Sequence, residues 1–116
     1  VSIKDIRSAT LGAQNKFRVE TIEYNGTKVG FKQLSYAERS QLMEKCMTDG
    51  KVDSLKLQAH AVIQTAVDPD TMEKVFTEDD YETMVNQPAD GYLDKFSKAA
   101  FKVLGLSDEE NSAEKN

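Results

Sequence analysis

A chain of 116 residues has the length of one ordinary domain, and 39% apolar with 30% charged residues describes a folded globule with a well-solvated surface. A net charge of −5 without any run of Lys or Arg argues against nucleic acid as the main partner. Apolar stretches far shorter than the roughly 20 residues of a bilayer span, the lack of a secretion-like start, and a single cysteine, Cys46, together lead us to expect a protein of the reducing cytoplasm, neither secreted nor membrane-bound.

Residues 1–15 carry too little pattern for an assignment. From Lys16 to Leu34 the residues nearly alternate: Phe17, Val19 and Thr21 share one parity, Ile22 and Tyr24 the other, and Val29 and Phe31 follow Asn25-Gly26. Asn-Gly between such segments predicts a β-hairpin, because both turn residues take positive φ, which Asn tolerates and Gly adopts freely. The parity switch after Thr21 points to a bulge or a shifted register.

Ser35-Tyr36-Ala37-Glu38 has the spacing of a capping box and predicts a helix start. Tyr36, Leu42, Met43, Cys46 and Met47 then fall on one stripe, read as inward-facing, and Asp49-Gly50 supplies a stop. Asp53 is the cap of a second helix whose Leu55, Ala59, Val62, Ile63 and Ala66 recur at intervals of three and four until Asp68-Pro69. A connector over 72–76 leads to Thr77, the expected cap of a short acidic helix running to about Asn86.

Pro88 and Gly91 mark a break, after which Tyr92, Leu93, Phe96, Ala99, Ala100, Val103 and Leu104 form a broad apolar face ended by Gly105. The acid-rich residues 107–116 offer little that packs and are expected to form a mobile tail. The expected fold is therefore α+β: one domain over 1–106, with an N-terminal β-hairpin followed by a small bundle of about four helices.

Catalytic patterns are scarce. His60 is the only histidine and has no evident triad partner, so a partly buried boundary residue is the preferred reading. Cys46 reads as a structural thiol. Asp68-Pro69-Asp70-Thr71-Met72 starts like a calcium loop but puts Met72 at the third ligand position, so a helix-stopping turn is preferred. Glu78, Asp79, Asp80 and Glu82 resemble paired catalytic acids, yet acids at a helix start are favoured by the helix dipole alone. Neither a P-loop, a GxGxxG run nor zinc-ligand spacing occurs. The reading is a protein that is not an enzyme and uses no cofactor or metal.

Leu57 lies nearly opposite the apolar stripe of its helix, and Phe101 lies well off the centre of the last helix's apolar face. Both are candidates for partner contact, Phe101 the better one because a large ring gains more from burial. The alternative is a helix sandwiched between other elements, which buries more than one face.

Val75-Phe76-Thr77-Glu78-Asp79-Asp80-Tyr81, then Met84-Val85-Asn86-Gln87-Pro88 and the helix through Leu93, Phe96 and Leu104 to Gly105-Leu106-Ser107, resemble the tail assembly chaperones of long-tailed bacteriophages. Phe-Lys-Gln-Leu-Ser at 31–35 is similar to the point where those proteins pass from an N-terminal hairpin into a helical body, so the resemblance covers roughly residues 16–107. It implies a chaperone in the host cytoplasm that holds the tape measure protein, helps recruit the tail tube protein through a longer frameshifted form, and leaves before the virion is complete. Self-association is compatible with that role. If the codons of Glu114-Lys115-Asn116 are GAA-AAA-AAC they hold a slippery site, and a longer minor product is expected. The alternative function is a structural or adaptor subunit of a stable complex.

Overall fold

Asn25 and Gly26 take φ values of 51° and 79°, the left-handed pair that suits a two-residue turn between right-twisted strands. They join β1 (Val19–Tyr24) to β2 (Thr27–Lys32) in an unbroken antiparallel register, from Tyr24 opposite Thr27 to Val19 opposite Lys32. No bulge is present, because the parity change has another origin. Ile22 and Tyr24 pack against the core, and Glu20 shares their side of the strand at the surface, where its carboxylate meets Lys102 at 2.8 Å. Val19 is on the opposite face, close to Gly30 and Val67. A polar residue, Glu20, at this position of the row interrupts the apolar alternation.

The computed structural model describes residues 1–12 and 16–106. The mobile acidic tail expected over 107–116 lies outside the described residues. Near the start, Ser2 and Asp5 form a capping box, with Asp5 N–H donating to Ser2 Oγ at 3.1 Å. It opens α1 (Ile3–Leu11), none of whose residues is buried. The box at Ser35 opens α2 (Tyr36–Lys45): Glu38 N–H donates to Ser35 Oγ at 3.0 Å, and Ser35 N–H to Glu38 Oε1 at 2.9 Å. Such a cap contributes about 1 kcal/mol.

α2 stops before Asp49-Gly50, which have φ of 53° and 77° and turn a second short ribbon, β3 (Met47–Thr48) against β4 (Lys51–Val52). The expected helix stop is thus a hairpin turn. Asp53 caps α3 (Ser54–Thr65), accepting from Lys56 N–H at 3.1 Å. The helix ends two residues short of the Asp68-Pro69 stop, since Ala66–Val67 form β5, which pairs antiparallel with Phe31 and Gly30 to give the sheet order β1-β2-β5. In the turn that follows, Asp68 Oδ1 accepts from Asp70 N–H at 2.8 Å, so this carboxylate holds backbone.

Asp80 accepts from Thr77 N–H at 2.8 Å, and a turn of 3₁₀-helix over 78–80 leads into α4 (Tyr81–Val85). α5 (Tyr92–Leu104) ends where Gly105 takes φ of 76°. Leu106 N–H then reaches Phe101 O at 2.8 Å and Gly105 N–H reaches Lys102 O at 3.3 Å, the paired bonds of a left-handed helix cap.

α5 lies against both β1–β2 and α3, while α3 also meets α2, α4 and β2. At the sheet–helix junction the Phe96 ring meets Tyr24 at 5.3 Å, Phe31 at 5.4 Å and Tyr92 at 5.3 Å, all edge-on. Phe31 is wholly buried, worth ~1.5–3 kcal/mol. Because α3 and α5 are each sandwiched, they bury more than one face. Leu57 is therefore only 8% exposed and Phe101 4%, which corrects the reading of both as partner contacts. The opposite correction holds for Tyr36, Met47 and Leu55, which the apolar periodicity places inward and which are exposed. Among the described residues, no helix is long and apolar enough to cross a membrane.

Candidate functional site

The cluster nearest to catalytic chemistry surrounds His60. This side chain is buried, and its ring stacks on Tyr81 with centroids 4.4 Å apart and planes 10° apart. Nδ1 lies 2.9 Å from Glu78 Oε2, a polar contact that misses hydrogen-bond geometry. Lys45 Nζ approaches the same oxygen at 3.0 Å, and Gln64 donates to Oε1 at 2.9 Å.

Burial pushes the pKa of His60 below its ordinary value, outweighing the pull of Glu78 in the other direction. Burial pushes Glu78 up, but Lys45, His60 and Gln64 together hold it below the usual carboxylate range. These groups join α2, α3 and the 78–80 turn. Among the described residues no three His, Cys, Asp or Glu side chains converge as a metal site would require. The thiol of Cys46 is buried and pushed up to about 11, so it is protonated at neutral pH and a poor nucleophile.

The stronger site lies at the far end of α5. A helix C-terminus presents carbonyls without helical partners and carries partial negative charge. Arg39 Nη1, from α2, donates to Leu104 O at 2.8 Å, and Arg18 Nη2, from the segment before β1, donates to Lys102 O at 3.3 Å. Each guanidinium has five N–H donors, so most remain free for another acceptor.

Beside them opens a groove of about 490 Å³, with Leu34, Val103 and Leu104 in its apolar lining and Lys16, Arg18 and Arg39 as its cations. Phe17, 52% exposed, and Tyr36, 86% exposed, form part of its lining. The Arg39 guanidinium is 5.4 Å from the Tyr36 ring centroid, and Lys32 Nζ is 5.2 Å from that of Phe17. A second hollow of about 230 Å³ shares Phe17, Gln33 and Leu34 and adds Lys32, Lys74 and Met72, with Glu38 as its one acid. Among the described residues, acids pair with Lys45, His60 and Lys102. Among them no acid lies within 4 Å of the charged nitrogens of Lys16, Arg18 or Arg39, although Lys102, helped by Arg18, holds the Glu20 carboxyl below its ordinary pKa.

Neither residue proposed from sequence as a partner contact lines this groove. Its members come from separated segments at 16–18, 33–36, 39 and 103–105, which only the fold brings together. The one local signal is Lys16-Phe17-Arg18, an aromatic between two cations, which the alternation from Lys16 assigns to the first strand of the hairpin. Tyr36 had been assigned to the core. Chemically the groove offers cations and aromatic faces, a binding surface for carboxylates and apolar groups.

No family model, curated protein or solved structure matches the chain.

Proposed function

We infer that this chain is a tail assembly chaperone of a long-tailed phage, a non-enzymatic protein of the host cytoplasm that binds the tape measure protein. The tail tube protein is a further partner, engaged through a longer frameshifted form, and the chaperone leaves before the particle is complete. The observation that carries the reading is the exposed groove, with large rings at Phe17 and Tyr36 beside cations that no carboxylate of the described residues contacts within 4 Å. Exposed apolar surface rimmed by polar groups is characteristic of protein contact. The exposed apolar side chains of α1, Ile3, Ile6 and Leu11, add to it.

The role also has a physical logic. A long helical client exposes apolar surface and aggregates unless a soluble partner covers it. A carrier of net charge −5 keeps such a complex soluble. The order of parts, a hairpin followed by a capped helix and a helical body, is the one that the resemblance implies.

Immunodetection across an infection tests the proposal against a structural subunit. The chaperone reading expects the chain in assembling lysates and none in purified particles. A fixed number of copies in every finished particle would replace it with the structural-subunit reading.

A further inference from the structure

We propose that the groove at the C-terminal end of α5 binds a short acidic segment of a partner polypeptide, in which carboxylates flank one large apolar side chain. Lys16, Arg18 and Arg39 line the groove with no carboxylate of the described residues within 4 Å, although the chain as a whole is acidic and Glu20 feels Arg18 from farther off. Charge-assisted bonds from guanidinium to carboxylate are among the stronger hydrogen bonds. The two guanidiniums are already oriented by their bonds to Lys102 O and Leu104 O, so little side-chain freedom remains to be lost.

Half-buried Leu34 gives the groove an apolar patch over the core residues Val103 and Leu104, and the exposed rings of Phe17 and Tyr36 stand ready to enclose an aliphatic or aromatic group. A volume of about 490 Å³ suits one such anchor with its neighbours and falls within the ~300–1,000 Å³ of ligand clefts.

The exposed helix α1 of a second copy has the wrong charge for this site, since it carries Lys4 and Arg7 against the single acid Asp5. A nucleic acid strand needs a longer cationic track than one protein of net charge −5 provides. That this segment belongs to the tape measure client rests on the chaperone reading; the chemistry of the groove does not.

The test measures anisotropy of a short labelled peptide alternating glutamate with phenylalanine and leucine, added to the full chain, beside its glutamine counterpart and a labelled single-stranded oligonucleotide. The glutamate peptide should bind, and added salt should weaken it. The double variant Lys16→Glu/Arg18→Gln, which keeps a donor for Lys102 O, should weaken it at least about tenfold, and Tyr36→Ser should weaken it too, with both variants melting like the parent. Equal binding of the glutamine peptide, preference for the oligonucleotide, or indifference to both variants would overturn the proposal.

The triple variant Asp108→Asn/Glu109→Gln/Glu110→Gln completes the test. Peptide binding seen only in that variant would assign the groove to the chain's own acids and overturn the partner assignment. The assay uses no client, so its failure leaves the chaperone reading standing, and a client that this chain fails to keep soluble leaves the groove's chemistry standing.

Discussion

Arg39 joins two roles in one side chain, since the guanidinium that closes the end of α5 at Leu104 O, 2.8 Å away, also stands 5.4 Å from the ring of Tyr36. The stability of a helix terminus and the shape of a surface groove therefore depend on the same group. Arg39→Ala should cost about 1.5–3 kcal/mol, the worth of a part-buried hydrogen bond from a charged donor. Urea unfolding checks this. An unchanged midpoint would show that water serves Leu104 O as well.

The burial of Leu57 and Phe101 gives a sharper contrast. Leu57→Ala should destabilise by about 2–5 kcal/mol and Phe101→Ala by about 3–5 kcal/mol, because each leaves a void between packed elements. Tyr36→Ser, at a side chain 86% exposed, should stay within about 0.5 kcal/mol. Melting curves of the three variants, compared with the parent, decide between core and surface.

Acid should loosen the junction of α2, α3 and the 78–80 turn in two stages. The pKa of His60 is lower in the folded chain than its ordinary 6.5, so the unfolded chain takes up the proton first. Stability is fully present above 6.5 and is lost as pH falls through the lower folded value. Glu78 is also lowered and has the same sign, so its contribution disappears at more acid pH, through the carboxylate range. His60→Phe, which keeps a ring against Tyr81, should remove the first stage and leave the second. Unfolding midpoints followed from neutral to acid pH would show both.

Cys46 should resist thiol reagents in the folded chain, being buried with its pKa pushed up to about 11. Labelling should accelerate sharply in denaturant. Rapid labelling under native conditions would mean that the β3–β4 ribbon beside it opens readily.

Local chemistry made much of the fold legible. Asn25-Gly26, the Ser35–Glu38 box, the Asp53 cap and Gly105 each act within a few residues, and each is where the sequence pattern puts it. The Ser2–Asp5 box is equally local but opens a helix that buries nothing, so no apolar stripe drew attention to it. After a helix, Asp49-Gly50 reads as a stop, although the same pair turns a hairpin.

The inward and outward assignments of Tyr36, Leu55, Leu57 and Phe101 failed for a different reason. A periodic stripe assumes one buried face, and α3 and α5 are sandwiched while the start of α2 is open. The groove was illegible because its cations and rings are distant in sequence, and no single stretch carries their pattern.

Co-expression with the tape measure protein of the same genome tests the central claim most directly. The account predicts that the client, insoluble alone, becomes soluble and co-purifies with this chain. An insoluble client, with this chain alone in solution, would contradict it.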